Sequence, residues 1–377
     1  MTGTIANRQH EASVHLEGSV VHLPATLMRG GTSKCWILFR DDVDATGEDA
    51  ELLLIRGFGS PDPRQIDGVG GGTSTTSKAI IIESGRHASP DGVLEYSFAQ
   101  VSVNTARVDW SSNCGNCATG LGLFAVQKGL VPIGDKTTRA RLKNIITGLE
   151  LTVEVDTPHA APPNTGDAEL SGVAYPGVPV DLMFHSPTWT SFGALFPTGN
   201  RLDQLTVGHD RVRATLIDAG APAVLILAKD MGLTGDDDLV TFGAQAEWFN
   251  EARQAAAKLM KLPMGSQSVP KVGIVGLSTT GTDSSLSVRM MSMDAPHPMI
   301  GLTSAVAVAV ATGSPGTVID LLGCRPDTSP GAHTLTLELL GGRVTLDVDM
   351  SDPAFVRFRR SARRLADAVL CIPKETK

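Results

Sequence analysis

Lys78 follows a run of hydroxyl residues, Thr73 to Ser77, and opens the apolar run AIIIE. A lysine at such a boundary ordinarily snorkels to solvent. Partly buried beside another cation, its ammonium is disfavoured, and the neutral amine becomes a general base near neutral pH. Lys271, which opens the similar run KVGIVGL, is its candidate counterpart later in the chain. Cys114, in SSNCGN, precedes an apolar stretch, and a thiol at a helix N-terminus has a lowered pKa and serves as acid or base. Cys117 reads as core. The C-G-N-C spacing lacks both the second ligand pair that zinc needs and a thioredoxin-type context, so no metal is expected; a redox pair would form a Cys114–Cys117 disulfide under mild oxidation. Of nine histidines, His297 in SMDAPHPMIG lies beside a proposed site.

Three glycine- and hydroxyl-rich segments supply the binding candidates: MRGGTSK (28–34), DGVGGGTSTTSK (67–78) and SSNCGN (111–116). None fits the phosphate-loop pattern or the dinucleotide fingerprint. They share small residues whose backbone N–H groups are free to face a ligand, which makes Thr32, Ser33, Lys34, Gly71, Gly72, Ser74, Gly115 and Asn116 candidates. A helix beginning at Asn113-Cys114-Gly115 presents unpaired N–H donors and a positive dipole end, a ready carboxylate site. Thr303 and Ser304 open a second such helix. Two helix N-termini facing each other would bind a di- or tricarboxylate from both ends. Arg29, Lys34 and Arg289 are candidates for its outlying carboxylates.

The elements that position these residues follow from an internal repeat. Residues 25–41, ATLMRGGTSKCWILFRD, align without a gap on residues 214–230, ATLIDAGAPAVLILAKD, at an offset of 189, with Ala25, Thr26, Leu27, Gly31, Ile37, Leu38 and Asp41 identical to their counterparts. Each copy reads as strand, glycine turn, strand. The same offset lays SSNCGNCATGLGLFAV over MIGLTSAVAVAVATGS. The first segment is apolar all round, as in a helix buried on every side. The VAVAV alternation of the second reads equally as a strand, and its pairing with the first favours a helix. The expectation is an α+β chain of two half-molecules, 1–190 and 191–377, with central helices from about 114 and about 303. Residues 159–169 read as a surface loop and residues 1 to about 18 as a loose extension.

Composition sets the outer limits. At 377 residues two domains are expected. A net charge of −8 disfavours nucleic-acid binding. Two tyrosines and four tryptophans argue against an aromatic-lined site. Five scattered cysteines make no disulfide framework. With no apolar leader after Met1 and no apolar window of membrane-spanning length, a cytoplasmic protein with reduced thiols and no membrane partner is expected.

These segments, with QIDGVGGGTSTTSK, VDWSSNCGN, FPTGN, AKDMGLTG and MSMDAPHPMIGLTSAVAVAVATGSPGTV in this order, resemble the PrpF-like isomerases of the diaminopimelate epimerase-like superfamily over roughly residues 20–370. The resemblance implies two pseudo-symmetric domains, each a β-barrel-like sheet around a central helix, with the site between them. It also implies cofactor-independent allylic proton transfer on an unsaturated di- or tricarboxylate such as aconitate, 2-methylaconitate or 4-oxalomesaconate, with Lys78 and Cys114 as the catalytic pair and a homodimer as the assembly to consider. The wider superfamily's epimerases use a second cysteine where this chain has Thr303, so two-base inversion is disfavoured. An amino- or hydroxy-acid epimerase or racemase, or a non-catalytic carboxylate-binding homologue, are the alternatives.

Overall fold

The computed structural model describes residues 13–87, 91–186, 190, 192–263, 269–279, 285–292, 295–323, 331–351 and 354–374. The expected N-terminal extension lies outside the described residues up to residue 12, as do Cys324 and parts of the division near 190. The surface loop read at 159–169 holds a short 3-10 turn, Pro158–Ala160, and otherwise no strand or helix.

The first run of strands comprises β1 (His15–Glu17), β2 (Val20–Gly30), β3 (Ser33–Phe39), β4 (Lys78–Ile82), β5 (Val93–Val101), β6 (Val108–Asp109), β7 (Thr137–Asn144), β8 (Glu150–Asp156) and β9 (Val178–His185). Helices α1 (Arg40–Ala45) and α2 (Ala50–Phe58) follow β3, and α3 (Gly115–Gln127) follows β6. The second run comprises β10 (Asp203–Val207), β11 (Asp210–Ala219), β12 (Ala221–Leu227), β13 (Lys271–Leu277), β14 (Leu286–Ser292), β15 (Ala295–Pro296), β16 (His333–Leu339), β17 (Gly342–Asp349) and β18 (Phe355–Pro373). Helices α4 (Leu239–Gly243) and α5 (Ala246–Leu259) follow β12, and α6 (Leu302–Thr312) follows β15.

Pairing repeats between the runs. From β2 through β3, β4, β5, β7 and β8 to β9 the neighbours are antiparallel, parallel, antiparallel, parallel, antiparallel, antiparallel. From β11 through β12, β13, β14, β16 and β17 to β18 the succession is the same. The boundary at 190 does not separate the strands cleanly. The long β18 leaves β17, pairs with β9 and then with β2 along Ala362–Pro373, closing the first run into a ring.

Both central helices are buried because neither has a polar face. Every residue of α3 except Gln127 is buried, as is every residue of α6 except Thr312. Their side chains share one core with the inward residues of both runs. Helices α4 and α5 cover the outer face of the second run, and α2 that of the first, each over a core of its own. Among the described residues no helix is long and apolar enough to cross a membrane.

Two readings of the repeat need correction. In the first hairpin Gly31 and Thr32 separate Gly30 from Ser33, whereas in the second Gly220 alone separates Ala219 from Ala221. That one-residue difference turns the second strand over. Ile37 faces the shared core while Ile226 faces the outer one, so those identities are not equivalent in space. At the helices, Cys114 caps α3 and Gly301 caps α6, which sets the offset there at 187, not 189. The counterpart of Cys114 is therefore Gly301, and Thr303 lies inside the first turn.

Glycines let the strands reach these helices. A Cβ on Gly30 would lie 1.9 Å from the carbonyl oxygen of Asn116, and one on Gly122 would lie 2.3 Å from Val153 Cγ1. Both obstacles are fixed parts of the core, so the added methyl has nowhere to go. Gly30→Ala is expected to destabilise the fold by about 1–3 kcal/mol, the usual range for overpacking, read as a lower urea midpoint. An unchanged midpoint would show that the hairpin does not press on α3.

Candidate functional site

Lys78 is the first residue of β4 and is buried. Its Nζ donates to Gln100 Oε1 and lies 5.2 Å from the centroid of the Phe98 ring. Gln100 is itself fixed, since its Nε2 donates to the Ser77 carbonyl at 2.9 Å. Ser77 Oγ accepts from Gln65 Nε2 at 2.7 Å, and Gln65 Oε1 accepts from Gly72 N at 2.9 Å. Gln65 holds this place with a left-handed backbone, φ 50°. The triple glycine wraps that amide: a Cβ on Gly70 would sit 2.1 Å from Gln65 Oε1. Gly71 and Gly72 thus shape the support beneath Lys78 and do not line the cleft.

The cleft measures about 710 Å³, its open mouth included. It brings together Lys78, Cys114, Ser33, Ser74, Gly115, Asn116, His297, Thr303 and Ser304 from the candidates, and Lys271 with them. Helices α3 and α6 enter it by their N-termini, close enough that a Cβ on Gly115 would lie 2.8 Å from Leu302 Cβ. Cys114 accepts a hydrogen bond from Cys117 N at 3.4 Å, whereas Gly301 brings no side chain to cap α6. The first-turn N–H groups of Leu302, Thr303 and Ser304 are left pointing at the cleft, in the arrangement that favours an anion. Among the described residues no Asp or Glu lines it.

The charges respond to this setting. Lys271 is pushed down to about 8, first by burial and then by Lys78 beside it. His297 is pushed down to about 4 by burial and then by Lys78 and Lys271. Its Nδ1 accepts from Met299 N at 3.0 Å, which leaves the proton on Nε2 as a donor. Cys114 corrects the expectation of a lowered pKa. A side-chain hydrogen bond with Cys117 and then burial push the thiol well above its ordinary value, against the lowering effect of the Cys117 N–H, so it stays protonated. Cys35, Cys114, Cys117 and Cys371 are all free thiols.

Besides Gly71 and Gly72, four candidates lie outside the lining. Arg29 Nη1 donates to the carbonyls of Gly31 and Ser361 and to Ser361 Oγ, at 3.0–3.2 Å. Arg289 donates to the carbonyls of Asp237, Val288 and Glu338 and to Ser287 Oγ, with Asp236 at 3.8 Å. Both guanidiniums are tied to backbone carbonyls, and neither residue is part of the lining. The Lys34 backbone N–H donates to the Thr75 carbonyl at 3.1 Å, and its side chain is not part of the lining. Thr32 works from behind: its Oγ1 accepts from Asn116 Nδ2 at 3.1 Å, while Arg360 Nη2 donates to Asn116 Oδ1 at 3.3 Å. Gln65, Gln100, Phe98 and Arg360 were not singled out from the sequence; the alternation YSFAQV, which puts Phe98 and Gln100 on the Lys78 side of β5, is the signal that finds two of them.

A family model described as PrpF protein matches residues 20–373. A 2-methyl-aconitate isomerase of Shewanella oneidensis is 36% identical, covering 94% of this chain and 98% of its own. A 4-oxalomesaconate tautomerase of Pseudomonas putida is 34% identical over 94% of this chain and 97% of its own. Among solved structures, a methylitaconate-delta-isomerase superposes with a TM-score of 0.74 at 26% identity, over 94% and 97% of the two chains. A hydroxyproline epimerase of Agrobacterium vitis, TM-score 0.55 at 10% identity over 95% and 94%, shares the fold.

The His297 shift has a definite sign. Its folded-state value lies below the ordinary 6.5, so the contribution to stability is complete above pH 6.5 and is lost as pH falls towards 4. The ring resonances of His297 in NMR spectra are expected to titrate near 4. A midpoint near 6.5 would show an open, hydrated ring.

Proposed function

The chain belongs to the PrpF family and is an isomerase, and from that premise we propose that it moves a proton along the allylic system of a small unsaturated di- or tricarboxylic acid, without a cofactor and with Lys78 as general base. The observation that carries this reading is a cleft in which two lysines and two helix N-termini converge, with no Asp or Glu among the described residues of its lining. Such a site selects anions, and an amine held by Gln100 among its walls is a base. The repeated pairing pattern supports two pseudo-symmetric domains, about 1–190 and 191–377, with the cleft between them.

In the proposed reaction the neutral amine of Lys78 removes the γ-proton. The electron pair delocalises through the double bond into the carboxylate or carbonyl beyond it. N–H groups of Gly115, Asn116, Thr303 and Ser304 receive that charge; one such donor is typically worth about 2.7–4 kcal/mol. The proton returns at the α-carbon from Lys78 or from Cys114, whose protonated thiol suits it to be an acid. Rotation in the delocalised anion gives a geometric isomer instead of a shifted double bond. Aconitate, 2-methylaconitate and 4-oxalomesaconate are the candidate substrates. Inversion by two thiols has little support, because Gly301 caps the second helix and Cys114 is the one cysteine among the described residues of the lining.

Lys78→Met is expected to lower turnover about 10²–10⁴-fold and to abolish deuterium uptake from D2O, with Cys114→Ser slower by a smaller factor. Full exchange in the Lys78 variant would sink the mechanism. Racemisation of a chiral amino or hydroxy acid would point to the epimerase alternative, and binding of trans-aconitate with no exchange in the wild type to the non-catalytic one.

Lys271 is pushed down to about 8, so its charge is present below that pH and lost above it. A carboxylate held by that charge is expected to bind less well as pH rises through about 8, read as a rising KM. In Lys271→Met that rise should be absent. A KM unchanged from pH 6 to 9 in the wild type would separate Lys271 from substrate binding.

A further inference from the structure

We propose that His15, Glu17 and His22 form a binding site for one divalent transition-metal ion of the zinc class, on the outer surface and apart from the isomerase cleft. The three side chains come from the β1–β2 hairpin. His15 and Glu17 are two residues apart and so share a face of β1, and His22 lies directly across from His15 in register. One ligand atom of each falls within 4.8 Å of the others. Glu17 Oε2 is 3.4 Å from His22 Nε2, which is roughly the donor–donor spacing of a tetrahedral zinc site with bonds near 2.1 Å. The imidazoles stack with centroids 4.3 Å apart and planes 8° apart, which keeps the two rings side by side, and a turn of one ring about its Cβ–Cγ bond brings both lone pairs to one ion.

The second nitrogens fit a metal site as well. A ligating histidine characteristically commits its other ring N–H to an acceptor, which fixes the tautomer and leaves the lone pair for the metal. His15 Nδ1 lies 3.1 Å from the Ser13 carbonyl, which can only accept, so Nδ1 carries the proton and Nε2 the lone pair. His22 Nδ1 lies 3.7 Å from Cys371 Sγ, on the neighbouring strand β18 and in register with His22. With the proton at that nitrogen, Nε2 of His22 turns its lone pair towards Glu17. The set of two neutral imidazoles and one carboxylate suits zinc, with water completing the coordination.

Strand β2 is held by its pairing with β18, and Val14 ahead of β1 packs on the outer core, but β1 itself is less well held. All three residues of β1 are exposed, so no buried side chain of that strand pins it to the fold. An ion bridging β1 to β2 would supply the missing tie.

The test is calorimetric titration of Zn²⁺ into the full-length, chelator-treated protein, with thermal melting alongside. One ion per chain is expected, with a rise in Tm. His15→Ala and His22→Gln should each weaken binding roughly tenfold or more and cancel the rise; Cys371→Ser, one step removed from the ion, should weaken it less. Turnover should be unchanged in all three. The absence of a stoichiometric site, or Zn²⁺ binding that survives the double His15→Ala, His22→Gln variant, would overturn the proposal.

Discussion

Two helices bring their N-termini to one point where Lys78 and Lys271 also meet, and among the described residues no carboxylate lines the space between them. Like charges held together away from water repel, and burial raises the cost. The protein bears that cost while carrying a net charge of −8 overall. Its acidic residues therefore lie elsewhere, and the cleft is a local positive region on an acidic molecule. Arg29 and Arg360 deepen that field from behind α3. Both are buried, and Arg360 is pushed down to about 10 by burial and then by Arg29. An anion entering the cleft relieves the repulsion, so binding and charge stabilisation come from one arrangement.

Holding that arrangement requires the glycines and amides around it. Gly30 and Gly31 let the β2–β3 turn touch the first turn of α3, which fixes Asn116 between Thr32 and Arg360. The chain of contacts from Gly72 through Gln65, Ser77 and Gln100 fixes the lysine. Each link is an amide or hydroxyl whose partners are on the protein, so the reacting groups are placed before a substrate arrives. Preorganisation of this kind avoids reorganisation cost at the moment charge develops.

Lys78, Cys114 and the two helix starts were legible in the sequence because each sits at a sharp change from polar to apolar residues, and such a change marks where an element begins. The depth of the site was not. Gln65 and Gln100 are single amides with no pattern, and their role exists only once a turn and a strand are folded together. Arg29 and Arg289 look like ligand-binding residues, but sequence does not tell whether a guanidinium faces a substrate or a backbone carbonyl. The repeat was readable at the level of elements and misleading at the level of residues. The loop of Gly31 and Thr32 against Gly220 alone shifts the partner strand by one, and a shift of one reverses its faces.

The inequality of the two helix ends bears most directly on the chemistry. At α3 the cap is a side chain whose sulfur accepts from Cys117 N, while a side-chain hydrogen bond with Cys117 and then burial keep the thiol protonated. At α6 the cap is Gly301, which offers no side chain, so the first-turn N–H groups stay available. One end can thus give a proton while the other can only hold charge. A symmetric pair of thiols would work on both faces of a single carbon, as inversion demands. For the reaction proposed above, a protonated thiol at one helix start, free N–H groups at the other and an amine between them instead suit a proton that leaves one carbon and arrives at another.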